Sequence, residues 1–377
     1  MITVLMFKNM TRANVSRPRV SGLLAALLVF LCLVGCVISP RRPVPGGTTG
    51  GGTGGGTGGG GTGGGTGATG ILYVSNDTAN AILRFNNGFT ASGAIAASGV
   101  VSGVNTKLNS PQYIFLDATN NQLYVANSGT STVLVFGSAS TMSGNIAPTR
   151  EIAFSAGLTA PSDVALDAGK DLLYVLDGGD IFTFKASTSN GETIPTQNMV
   201  LTFAPQAIFV DAANNRLYAT NPGANQIAIF DNASTLTGAV SPTRTISGGN
   251  TSLATPSGVL VDTSGRLVVA NAGTPISIPP TVTVYLNAAT ANGNISPAAT
   301  ISGAATTLGG PNQMVLDTVP AGTDLYVADP SVGEIAVFTN FAGASGNVAP
   351  TRKITGTGIT QGTGAPTARG VALDISR

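Results

Sequence analysis

SPQYIFLDATNNQLYVAN, Ser110 to Asn127, decides the fold. It holds a proline, a short apolar run closing on Asp117, a polar turn, and a second apolar run closing on Asn127. Runs of this length, rich in β-branched and aromatic residues and split by an Asn-rich turn, predict two antiparallel strands. The aspartate recurs as Asp117, Asp167, Asp211, Asp262, Asp317 and Asp374, and the second run recurs as LYVSN, LYVAN, LYVLD, LYATN, LVVAN and LYVAD.

The second runs begin at Leu72, Leu123, Leu173, Leu217, Leu267 and Leu325, so the steps are 51, 50, 44, 50 and 58 residues. Each unit adds a third run, such as VLVF (Val133 to Phe136), and a fourth part, such as GNIAPTREI (Gly144 to Ile152). Four antiparallel strands repeated every 40 to 50 residues predict an all-β fold, a six-bladed β-propeller of four-stranded blades. Blades packed face to face bury both sides of their inner strands, which explains runs that are nearly continuous rather than alternating. Pro148, Pro195, Pro242, Pro297 and Pro350 fall in the fourth part, which places that strand at the outer edge. The domain opens at Gly70 with a second run and ends on a first run, PTARGVALDISR. Val371 to Asp374 are therefore expected to pair beside Leu72 to Ser75 and close the ring.

LYVANSGTSTVLVF (Leu123 to Phe136) resembles the repeat of YVTN-type propellers, and PSDVALD…LYVLD (Pro161 to Asp177) is similar to NHL repeats. The resemblance covers 70–377 and implies the propeller fold, while such repeats serve binding modules, surface proteins and a minority of enzymes.

Residues 1–35 carry a positive start and a run of about 15 apolar residues, VSGLLAALLVFLCLV, short of the roughly 20 a membrane-spanning helix needs. LVGC, Leu33 to Cys36, resembles the lipobox of bacterial lipoprotein signal peptides, which implies cleavage before Cys36 and lipidation of that cysteine; an ordinary signal peptide or signal anchor is the alternative. The implied location is the cell envelope, with Val37 compatible with the outer membrane in a Gram-negative cell. Residues 36–69 are rich in Pro, Gly and Thr and predict a flexible tether spanning roughly 30 Å.

The sequence has no histidine and no tryptophan, 9% charged residues and 51 glycines. Without the four basic residues of the leader, 14 basic face 17 acidic residues, a net charge of −3 that offers nothing to nucleic acid. The PTR copies at Arg150, Arg244 and Arg352 recur once per blade and are expected on a solvated edge. With no histidine and Cys36 lipidated, histidine-based triads and cysteine nucleophiles are excluded, and no cofactor or enzymatic activity is expected.

If the first strand runs from the top face down, the residue five before each aspartate lines the channel mouth: Gln112, Ser162, Gln206, Ser257, Asn312 and Arg369. These are the candidate ligand contacts, with a solvent-lined mouth as the alternative and Arg369 as the one formal charge. The residues closing the second runs, from Asn76 to Asp329, and the six aspartates are read as turn-stabilising. The insertion AGTPISIPP, 272–280, adds to the top face. Two readings follow. One is a lipid-anchored binding or scaffold propeller for a protein or surface polymer. The other is a gluconolactonase-like metal-dependent hydrolase of small lactones or esters, to which Asn312 and Asp163 would lend two oxygens but no full cage.

Overall fold

The structure, a computed structural model, describes residues 69–274, 277–317, 324–356, 359 and 368–377. The expected leader, Cys36 and all of the tether but Thr69 lie outside the described residues. The described chain is a six-bladed β-propeller built of antiparallel sheets, with eight short 3₁₀ turns and no α-helix among the described residues.

Blade 1 joins Ala368–Asp374, Ile71–Asn76, Ala81–Phe85 and Gly99–Val101. Blade 2 runs from Pro111–Asp117 through Gln122–Asn127 and Thr132–Gly137 to Arg150–Ala153. The inner strands of blades 3 to 6 are Asp163–Asp167, Ile208–Asp211, Pro256–Val261 and Met314–Leu316. Within blade 1 the last strand of the chain lies antiparallel to the first, with Asp374 opposite Ile71, Leu373 opposite Leu72 and Val371 opposite Val74.

The core lies between blades. Leu72 and Val74 pack with Tyr326 and Ile335 of blade 6, whereas Tyr73, between them, points the other way against Ile114 and Leu123 of blade 2. Side chains of a strand alternate between its faces, so a strand sandwiched by two neighbours buries every position and is apolar except where a polar side chain finds a hydrogen-bond partner, as Ser75 does at Gln112 O. The second strand of blade 1 is accordingly buried along its whole length. The same logic produces six apolar clusters, one at each blade-to-blade seam.

The fourth part of the repeat behaves differently from its sequence reading. The outer strands begin after the prolines, at Arg150, Gln197, Arg244, Ala299 and Arg352, so each proline precedes its strand by two residues and removes no ladder donor. Nor is the outer strand a free edge. Gly144 pairs in parallel with Val101 of the previous blade, and Gly191, Gly238, Gly293, Gly346 and Gly93 make the same contact at the other five seams. All six have φ between 68° and 82°, a left-handed conformation that favours glycine. The next residue completes the latch in three blades: the side-chain oxygens of Asn145, Asn294 and Asn347 accept the backbone N–H of Asn105, Asn250 and Ala305.

The arginines of the PTR copies are not on a solvated edge either. Arg150 reaches into blade 3, where its guanidinium donates to Ala186 O at 2.6 Å, and it also lies over the Tyr124 ring. Arg352 donates to Ala91 O of blade 1 at 3.1 Å and to Asp324 at 2.8 Å. Arg244 stays within blade 4, paired with Asp231 at 2.8 Å. An arginine at the base of the outer strand is long enough to cross the seam, and the carbonyls at the next blade's turn await donors.

Candidate functional site

The inner strands enclose the central channel in the order blade 1 to blade 6, with blade 6 again beside blade 1. The six residues expected at its mouth fall into three groups. Gln112, Ser162 and Gln206 are partly exposed; the Gln112 amide folds back to donate to Ser110 O at 3.2 Å. Ser257 and Asn312 are 0% and 4% exposed, which contradicts their reading as solvent-lined. Ser257 Oγ donates to Pro311 O, and Asn312 Oδ1 accepts from Gln206 Nε2 at 3.4 Å, so these side chains join blades 4, 5 and 6. Arg369 is partly exposed, but its charge is not isolated: Nε donates to Asp77 Oδ2 at 2.7 Å.

One residue further down each inner strand lies a layer that the sequence reading passed over. There the copies read Tyr113, Asp163, Ala207, Gly258, Gln313 and Gly370. Around the ring, three large polar residues stand opposite or beside three small ones. Tyr113 crosses from blade 2 to blade 5, where its hydroxyl donates to Ser257 O at 2.8 Å. Gln313 Oε1 accepts from Val371 N at 2.9 Å and Ile114 N at 3.2 Å, and its Nε2 donates to Ile114 O at 2.9 Å, so one side chain ties blade 6 to blades 1 and 2. Asp163 accepts from Val164 N at 2.7 Å within its own strand and from Ile208 N of blade 4 at 2.8 Å. The small residues are required: a Cβ on Gly258 would lie 2.2 Å from Asn312 O, and one on Gly370 2.7 Å from Ser75 Oγ. The signal was in the alignment of the repeats, where one column holds three polar residues, Tyr113, Asp163 and Gln313, and three of the smallest.

This layer floors the mouth. Burial pushes the Asp163 carboxyl up to about 8 despite its two backbone N–H donors, and burial raises the Tyr113 phenol as well. In both groups burial favours the neutral form. Asp163 and Asn312, the pair considered for a metal, have their side-chain oxygens engaged by the contacts above. Among the described residues no group of three or more Cys, Asp or Glu is placed to hold a metal ion.

The residues that close the second strands are structural. Asn127 Oδ1 accepts from Asn109 N at 2.8 Å, Asn271 Oδ1 from Ala254 N at 3.1 Å, and Asp329 from Gly309 N at 2.7 Å, each holding the loop that leads into its own inner strand. Asp177 holds Thr159 and Ala160 in the same way, its Oδ1 accepting from Thr159 Oγ1 at 2.9 Å. In blade 4, where the repeat is shortest, Asn221 is partly exposed and its Nδ2 donates to Gln226 Oε1 at 3.5 Å. The aspartates after the inner strands hold lower turns: Asp117 accepts from Asn120 N at 3.0 Å and Asp211 from Asn214 N at 3.1 Å. Of the insertion at 272–280, residues 275 and 276 lie outside the described set, and Thr274 and Ile278 pair across the gap.

These features define a β-propeller with a polar mouth and a closed floor. No protein-family model matches the chain, and no curated protein matches it. Among solved structures it is similar to a chain in the crystal structure of a nidogen/laminin complex, with a TM-score of 0.52 and 14% identity over 81% of this chain and 97% of that one. It also aligns with the hydrazine synthase of Kuenenia stuttgartiensis at a TM-score of 0.45 and 14% identity, over 64% of this chain and 66% of that one. At such identities the likeness to the first concerns the fold alone.

Proposed function

We propose that the protein is a lipid-anchored, extracytoplasmic propeller that binds a protein or a surface polymer through its top face and carries out no catalysis. The observation that carries this reading is the mouth itself. Gln112, Ser162 and Gln206 are partly exposed there beside the Arg369–Asp77 pair, over a floor closed by Tyr113, Asp163 and Gln313. A shallow polar dish with a closed floor offers hydrogen bonds to a partner's surface and has little depth to enclose a small substrate. A chain of similar fold belongs to a nidogen/laminin complex, which agrees with a protein partner. The LVGC stretch and the Gly/Thr-rich segment after it support anchoring through Cys36 and a tether long enough to hold the domain off the membrane.

Two measurements on the full-length protein test this. Radiolabelled palmitate should be incorporated and lost in Cys36→Ala; incorporation unchanged by that variant removes the anchor. Photo-crosslinking groups placed at Gln112 and Gln206 should join a partner in intact envelopes, and Arg369→Ala should weaken the product at least several-fold. Crosslinks found only at the blade rims would sink the top-face reading. A rise in melting temperature with calcium or zinc would favour the hydrolase instead.

A further inference from the structure

Below the Tyr113–Asp163–Gln313 layer the inner strands enclose a channel of about 220 Å³. Its wall includes Phe115, Phe209, Val210, Val261 and Val315, and each is partly exposed although each sits within an inner strand. Their equivalents in the second strands are almost all buried, so the exposure is specific to the channel. Apolar side chains kept wet inside a concave wall are unfavourable unless something displaces the water, and such concave apolar surface is the ordinary mark of a ligand site.

The blind end has a definite chemistry. Tyr113 and Gln313 have their side-chain polar groups engaged. The two oxygens of Asp163 accept backbone N–H groups, and burial raises its carboxyl pKa. A buried carboxyl at the end of an apolar channel suits a neutral hydroxyl, which can donate to it or accept from it, and rejects a carboxylate. The other end opens by Asp262 and Thr263 on the lower face, the face where the described chain also begins, with Gly70 N donating to Arg377 O at 2.7 Å. An apolar cavity of about 150 Å³ already admits benzene, so this one has room for a somewhat longer molecule.

The geometry points to this channel as a binding site for a neutral, medium-length aliphatic alcohol, its hydroxyl at Asp163 and its chain along Phe115, Phe209 and Val315. The site is separate from the top face and does not rest on the partner reading. It is tested by irradiating the full-length protein, in membranes of the cells that express it, with a diazirine-bearing octanol and mapping the labelled residues. Label should fall on the inner strands around Phe115, Phe209 and Val315, be competed by excess octanol, and drop at least ten-fold in Val210→Phe with cooperative melting retained. Label confined to the tether or rims, channel label that octanol does not compete, or a folded Val210→Phe labelled as strongly as the parent would overturn it. Should Val210→Phe not fold, the map and competition on the unsubstituted protein decide alone. Crosslinking from Gln112 is expected to be unchanged by octanol, which separates failure of this site from failure of the top face.

Discussion

Tyr113, Asp163 and Gln313 make at the centre of the ring the contacts that a propeller otherwise makes only between neighbours. Removing the phenol in Tyr113→Phe leaves the buried Ser257 carbonyl without that donor, which should cost about 1–3 kcal/mol by denaturant unfolding. Gly258→Ala drives a methyl group into Asn312 O and should cost at least about 2 kcal/mol, with no rescue available because the obstacle is backbone. Asp163 makes a prediction in pH. Its folded pKa, about 8, lies above the unfolded value of 3.8, so the folded state holds the extra proton between those values. The contribution of this group to stability is therefore fully present below the unfolded pKa and is lost as pH rises through the folded one. The stability of the parent minus that of Asp163→Asn should fall by up to about 1.4 kcal/mol per pH unit between those values. A flat difference would show that the two N–H donors outweigh burial. Comparison with the variant cancels groups that run the other way, such as Asp231, which the Arg244 hydrogen bond holds low against burial.

At the scale of the element, the fourth part of each repeat is the outer strand of its blade and also a seam to the neighbouring blades. The GN and PTR signatures are bound to different neighbours: Gly144 and Asn145 reach back to blade 1, while Arg150 reaches forward to blade 3. Arg150→Ala removes charge-assisted bonds to Ala186 O and to Gln122 Oε1 and should cost about 2 kcal/mol, with Arg150→Lys recovering only part because one ammonium cannot span both acceptors. Hydrogen exchange should show the loss at the blade 2–3 seam, near Ala186 and Ser189. Loss spread evenly over all six blades would contradict a local seam.

For the whole molecule, the sheet of blade 1 draws its inner strand from the last strand of the described chain and its other strands from the first ones. Deleting residues 369–377 strips the partner from Ile71–Asn76 and removes Val371 from its contacts with Gln313. The truncated protein should lose its single cooperative melt and aggregate through the exposed edge; an unchanged melt would show that blade 1 holds without its inner strand.

The number of blades, the order of strands and the burial of LYVAN-type runs were legible in the sequence because they depend on period and on side-chain alternation, which are local properties. The mouth was half legible. Gln112, Ser162 and Gln206 are partly exposed, but Ser257 and Asn312 are drawn into the interior, and Arg369 finds Asp77, a residue 292 positions away in the chain. The floor was written in one column of the repeat as Tyr, Asp, Ala, Gly, Gln, Gly, yet its meaning depends on which blades face each other across the axis. Sequence by itself determined the blade, since a blade is made of neighbours along the chain. Only the tertiary structure decided the channel, the seams and the fate of each polar residue, because those contacts join different blades, 36 residues apart for Arg150 and Ala186 and 199 for Ile114 and Gln313.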